Sequence, residues 1–137
     1  MTTEAELAWA AGFFEGEGSV RISKPTRRNW GSLLVDIPNT DPVLVHFFAN
    51  RWAGSVSEHA AVGRRNRYWR WRCASLQAAA FLTAIRPYVI SPRVAEKIDH
   101  GLAFQAQKRP RDSSEAYREA QWIAYWWMAE LNVRGVR

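Results

Sequence analysis

The hydrophobic positions of the chain follow two periods in alternation, one helical and one extended. Leu7, Ala8, Ala11 and Phe14, with Ala10 and Phe13 beside them, recur at helical spacing, and Thr3 with Glu6 three residues on has the spacing of a capping box. That helix runs into the glycines at 16 and 18. Residues 19–24 and 32–38 then alternate around a turn at 25–29, with Val20 and Ile22, then Leu33, Val35 and Ile37, on the apolar side. Asp41 and Pro42 open a second helix through Val43, Leu44, Phe47, Phe48 and Trp52, which stops at Gly54. A second hairpin pairs 55–60 with 67–74 about a turn containing Gly63. Ser75 caps a third helix that ends at Pro87, and Ser91-Pro92 opens a fourth that continues to about Lys108. Asp112 with Glu115 makes another capping box, for a last helix over 113–132.

The order α-ββ-α-ββ-α, plus C-terminal helices, predicts an α+β fold: a four-stranded antiparallel sheet with helices on one face. Residues 1–108 form one domain, and 109–137 are a basic linker and a C-terminal helix packed on it. A chain of 137 residues has room for one hydrophobic core, and an apolar content of 47% argues against disorder. The single cysteine, Cys73, excludes a disulfide framework and a thiolate zinc site. No secretory signal and no membrane-spanning apolar run stands out, so the expectation is a soluble protein with no membrane partner. Its formal charge of +6 favours a polyanionic partner.

The strand pattern says where that charge goes. Side chains alternate across a sheet, so in 68–73 Trp69, Trp71 and Cys73 share one face while Tyr68, Arg70 and Arg72 share the other. With helices over the apolar side, the open side carries Arg21, Ser23, Asp36, Tyr68, Arg70 and Arg72, with Lys24 at the end of its strand. Both turns are basic, with Arg27 and Arg28 in one and Arg64, Arg65 and Arg67 in the other. Antiparallel sheets also leave a polar face simply to water. A face with so many arginines and so few acids fits double-stranded DNA: sheet arginines can pair with guanine in the major groove while turn arginines reach phosphates.

The first helix holds the remaining chemistry. Gly12 and Gly16 stand at G-x-x-x-G spacing, and a glycine inside a helix costs about 1 kcal/mol relative to alanine. Small residues at that spacing suit the close approach of a second backbone, either the chain's own sheet or a symmetry mate in a homodimer. The candidate interface set is Ala8, Ala11, Gly12, Glu15 and Gly16. Glu15 and Glu17 are two apart, so they face different ways and should do different jobs. A dimer would bring two copies of Glu17 together beside a polyanion. Such an arrangement calls for a divalent cation, and Mg²⁺ takes a few carboxylates together with water and phosphate oxygens.

The stretch A-A-G-F-F-E-G-E-G at 10–18 resembles the LAGLIDADG motif, and the chain is similar to the single-motif homing endonucleases of phage and microbes. I-P-N-T-D-P-V-L at 37–44 and F-L-T-A-I-R-P-Y at 81–88 also resemble that family, and the likeness covers about 7–108. It implies a homodimer whose motif helices meet at the two-fold axis, with the sheets forming a saddle over a pseudo-palindromic DNA site. It implies cleavage of one phosphodiester per strand across the minor groove, with Mg²⁺, or Mn²⁺ in its place, held by Glu17 and the carbonyl of Gly16. Asn39 falls where the family places a residue that positions water. The family's lysine beyond the Pro87-Tyr88 segment is missing; Arg93, or Lys97 a turn later, stands nearest. The implied setting is the cytoplasm of a bacterial or phage-infected cell, or an organellar matrix. The missing lysine leaves open a non-cleaving DNA or RNA binder, an intron maturase or a regulator on the same fold. His46, His59 and His100 have no ligand spacing, and the aromatic residues of the last helix read as core or dimer packing, with stacking on bases as the alternative.

Overall fold

The computed structural model describes residues 2–27, 29–109 and 111–134, and Arg28 lies outside them. Helix α1 (Glu4–Glu17) starts at the expected capping box: the Thr3 hydroxyl accepts from the Glu6 N–H and the Glu6 carboxylate accepts from the Thr3 N–H, each at 3.1 Å. Strands β1 (Ser19–Ile22) and β2 (Leu33–Asn39) follow, then α2 (Pro42–Trp52), β3 (Ser55–His59), β4 (Tyr68–Ala74) and α3 (Ser75–Ile85). A single 3-10 turn (Arg86–Tyr88) leads to α4 (Pro92–Ala106) and finally α5 (Glu115–Arg134). The sheet is antiparallel with the order β1-β2-β4-β3, so the two hairpins meet edge to edge. Among the described residues no helix is long and apolar enough to cross a membrane.

The alternation read from the strands is the one that packs. Val20, Ile22, Leu33, Val35, Ile37, Trp71 and Cys73 are all buried under the helices, against Ala10, Ala11 and Phe14 of α1 and Phe48, Phe81 and Ile98 of α2, α3 and α4. The centre is aromatic: Phe14, Phe48, Trp71 and Phe81 lie 5.0–5.9 Å apart between ring centroids, mostly edge to face.

Two helix starts differ from their sequence reading. Ser75 does not cap α3; it is the first helical residue, at φ 54°, and Ala74 precedes it without a side-chain cap. The chain passes from β4 into α3 with no intervening loop, which leaves a left-handed residue in place of a cap. At α5 the helix starts at Glu115 rather than 113, because the Ser114 hydroxyl caps the Tyr117 N–H. Asp112 instead accepts from the Ser114 N–H and closes the turn before it.

Helix α5 lies across the outer edge of β1. Asn132 donates to the Val20 carbonyl at 3.1 Å, Gln121 accepts from the Gly31 N–H at 3.0 Å, and Lys108 donates to the Gly31 carbonyl. An edge strand with open carbonyls invites pairing with another chain, and α5 occupies one of them, that of Val20, and covers the edge.

Candidate nucleic-acid interface and acidic motif

The strand register sets the open face of the sheet in ranks. One rank runs Ser19–Asp36–Arg72–Ser55, and the next, toward the end where α1 terminates, runs Pro38–Arg70–Ser57, followed by Tyr68–His59. On the other side of the first rank lie Arg21, Leu34 and Ala74. Among the described strand residues Asp36 is the one acid on this face, and it is not free to meet a base: it is buried, accepting from Arg21 and from the Ser19 hydroxyl, each at 3.1 Å. Its physical effect is to fold Arg21 back over β2.

Arg72 is exposed, whereas Arg70 is half-buried and its Nε is enclosed without a hydrogen-bond partner among the described residues. An enclosed guanidinium donor is costly to leave unpaired. Tyr68 stacks on His59 at 4.6 Å and 7° between planes, with Arg65 over its other surroundings at 5.2 Å and Arg70 at 5.8 Å. His59, whose Nε2 lies 2.9 Å from the Ser57 hydroxyl, thus belongs to the open face. Arg64, Arg65 and Arg67 are exposed in the second turn, and Arg67 pairs with Glu58 at 3.3 Å. In the first turn Lys24 and Arg27 are exposed, while the Ser23 hydroxyl is occupied by the Ser32 N–H at 2.8 Å.

The acidic motif separates into two environments. Glu15 accepts from the Ile90 N–H at 3.0 Å and from the Ser91 N–H at 2.9 Å, so it ties the end of α1 to the start of α4. Ser91 in turn caps α4 through the Val94 N–H. Glu15 is therefore a structural clamp, with both carboxylate oxygens engaged inside its own chain. Glu17 is exposed and, among the described residues, makes no hydrogen bond or ion pair. Ser19 pairs with Asp36, so the end of α1 sits beside the 37–39 end of β2 and next to the Arg70 rank.

The glycines explain themselves by contrast. At Gly18 the backbone is extended, and a Cβ would stand 2.3 Å from the Phe14 ring; at Gly12 and Gly16 a Cβ would meet nothing within 4 Å. Gly18 serves this chain's own packing. Ala8, Gly12 and Gly16 form an exposed stripe of small residues that ends at Glu17. Ala11 leaves the interface set, because the chain's own core encloses it completely and it has no surface left to offer. The helical period places position 11 a full 100° from position 12, enough to turn it inward.

Asn39 lies on the helix-side parity of β2, and its Oδ1 accepts from the Asp41 N–H at 2.9 Å, which spends that oxygen on the turn into α2. Arg93 is exposed on the first turn of α4, the turn that Glu15 anchors. Lys97, one turn on, is partly buried, and its pKa lies below the ordinary lysine value because of that burial and, secondarily, the charge of Arg93. No group of three or more His, Cys, Asp or Glu among the described residues is gathered as for a metal ion. One chain offers the single open carboxylate of Glu17 and the last carbonyls of α1. Oxygen donors of this kind fit Mg²⁺, and one chain supplies too few of them to hold it alone.

No protein-family profile matches the chain, and no curated protein matches its sequence. Solved structures do. The chain superposes on the homing endonuclease I-CvuI, solved with a DNA target and magnesium and with the DNA uncleaved, at a TM-score of 0.76 over 93% of this chain and 82% of that one, with 12% identity. This is the LAGLIDADG homing-endonuclease fold. The archaeal intron-encoded homing endonuclease I-Vdi141I, complexed with DNA, matches at a TM-score of 0.53 over 95% of this chain and 98% of that one, with 12% identity. The LAGLIDADG homing endonuclease I-LtrWI, bound to target DNA, matches at 0.61 over 90% of this chain but only 41% of that one, with 17% identity. The LAGLIDADG fold is thus carried here by a chain about two fifths the length of I-LtrWI and about the length of I-Vdi141I.

Proposed function

We propose that the chain is one subunit of a homodimeric, site-specific DNA endonuclease that uses a divalent cation. The observation that carries this reading is the bare stripe Ala8–Gly12–Gly16, which no side chain of its own fold needs and which leads to the unpaired Glu17 at the rim of the arginine face. Two such stripes in contact would let the backbones of two α1 helices approach closely and would bring two Glu17 carboxylates to one axis. The two open sheet faces would then lie side by side on a duplex with related half-sites.

In that assembly Glu17 and the carbonyl of Gly16 would hold Mg²⁺, which when bound supplies Lewis-acid stabilisation of a phosphodiester oxygen and a more acidic water. The chain's own residues do the rest. Arg70 and Arg72 read base edges, Arg21 is held in reach by Asp36, and Arg27, Arg64, Arg65 and Arg67 lie at phosphate distance from a groove-bound duplex. Glu15 fixes the start of α4, and with it Arg93 and Lys97, relative to Glu17. Arg93 stays protonated and offers charge to a phosphate rather than proton transfer. The Nδ2 of Asn39 remains as a donor for water, since only Oδ1 is spent on Asp41.

A second reading, a DNA or RNA binder that does not cut, is favoured by one specific observation: between Tyr88 and Arg93 there is no lysine. The deciding experiment is cleavage of a randomised duplex library with Mg²⁺ and with Ca²⁺, alongside Glu17→Gln. A pseudo-palindromic cut site recovered only with wild type and Mg²⁺ supports the endonuclease. Enrichment of bound sequences without any cut supports the binder.

A further inference from the structure

The edge helix α5 carries a feature that the duplex reading leaves unused. Arg118, Trp122, Tyr125, Ala129 and Asn132 follow each other at three- and four-residue steps and form one stripe of α5, with Glu115 one step before it. Between this stripe and β1 lies a cleft of about 360 Å³, lined by Arg21, Ser23 and Lys24 on one side and Tyr125, Ala129 and Asn132 on the other. The cleft therefore opens directly onto the arginine face.

From Tyr125 in its wall an aromatic cluster continues along α5. Trp122 and Trp126 are stacked at 6.4 Å with 25° between planes, and Tyr125 stands edge-on to both, at 5.9 and 5.1 Å. Lys24 lies 5.8 Å from the Trp122 ring, and Arg118 lies 5.5 Å from Trp30. Trp126 is 61% exposed, a large area of indole for solvent to bear without a partner. Glu119, three residues before Trp122, and Glu130, four after Trp126, are exposed on the same side of α5 as Trp126.

Flat π-faces next to cations match a nucleobase and its phosphate at once. A base inside a duplex is stacked on its neighbours and offers no face to such a cluster; an unpaired one does. We propose that the β1–α5 cleft, together with the Trp122–Tyr125–Trp126 cluster that continues from Tyr125 along α5 and the Lys24 ammonium beside Trp122, binds unpaired nucleotides of a DNA strand that runs on from the sheet face. The choice of DNA rests on the duplex reading of that face. The base-stacking chemistry of the cluster does not.

The test is fluorescence anisotropy with a labelled blunt duplex, the same duplex with six unpaired thymidines on either strand, a free thymidine 12-mer, and a uridine 12-mer of RNA. Wild type should bind the tailed duplex more tightly than the blunt one, and should bind the thymidine 12-mer. Trp122→Ala and Trp126→Ala should each weaken 12-mer binding about fivefold or more, the range of one base–aromatic stack, and leave blunt-duplex affinity unchanged. Because Trp126 is mostly exposed, its variant keeps the fold, and circular dichroism checks the Trp122 variant. No 12-mer binding, or equal binding by wild type and both variants, overturns the proposal. Tighter binding of the uridine 12-mer than of the thymidine 12-mer overturns its DNA assignment in favour of RNA. Failure of the blunt duplex alone to bind would count against the sheet-face reading, while the thymidine 12-mer reads the cleft independently.

Discussion

The two sides of α1 are built from the same few residue types and are put to opposite uses. On the inner side Ala10, Ala11 and Phe14 are buried, Gly18 yields space to the Phe14 ring, and Glu15 binds the backbone of the α4 start. On the outer side Ala8, Gly12 and Gly16 are exposed, a Cβ at either glycine would meet nothing within 4 Å, and the Glu17 carboxylate has no partner among the described residues. Each side has its glycine and its glutamate. The difference shows that a small residue or a carboxylate acquires its role from what the fold places opposite it, and among the described residues nothing is placed opposite the outer side.

The largest effect that separates the sides is expected at the carboxylates. Glu17→Gln should lower the cleavage rate by on the order of 10³-fold, the loss of several kcal/mol of metal-assisted stabilisation, with the melting temperature unchanged. A matched loss of stability would place Glu17 among the structural residues. Gly18→Ala should destabilise the fold by about 1–3 kcal/mol, since its Cβ and the Phe14 ring cannot share one space, and a denaturant melt reads it directly. Glu15→Ala leaves two backbone N–H groups without their acceptor and should cost about 1–2 kcal/mol, because both groups retain access to water. In that variant, cleavage lost beyond what unfolding explains would show that the clamp also positions Arg93 and Lys97.

The outer glycines invert the sign. Gly12→Ala should raise the stability of the isolated subunit by about 1 kcal/mol, as an exposed helical glycine becomes an alanine, while weakening self-association in sedimentation. A stabilised variant that still associates normally would break the homodimer reading. The smallest effect lies at the far anchor of the same segment, where Arg86 holds Asp99 through two hydrogen bonds of 2.8 and 3.0 Å. Arg86 keeps the Asp99 carboxyl below its ordinary pKa. The pair therefore adds stability above the unfolded aspartate pKa, about 3.9, and loses it as the pH falls through the depressed value. Asp99→Asn should flatten that slight acid dependence in a pH series of melts, and should leave the melting point near neutral pH almost unmoved because the pair is exposed to solvent.

Much of this was legible before any coordinates. The capping box at Thr3, the Asp41-Pro42 and Ser91-Pro92 starts, and the alternation of the four strands are local signals, set by hydrogen bonds within a turn or by the two-residue period of a sheet. They were enough to sort Arg21, Tyr68, Arg70 and Arg72 onto one face. Resemblance of 10–18 to a known motif carried the reading further than the residues alone could.

The tertiary structure decided the rest, because the rest depends on partners distant in the chain. Only the meeting of 15 with 90–91 makes Glu15 a clamp, and only Arg21 folding back on Asp36 takes the one acid of the open face out of reach of a base. Ser75 follows the composition of a cap, yet the direct passage from β4 to α3 makes it the first helical residue. Burial of Ala11 and exposure of Ala8 and Gly12 likewise follow from the angle at which α1 docks on the core. Sequence fixes periods, caps and the parity of strands, since these act over a few residues; which small residue is bare and which carboxylate is free is settled by packing across tens of residues, where local spacing carries no signal.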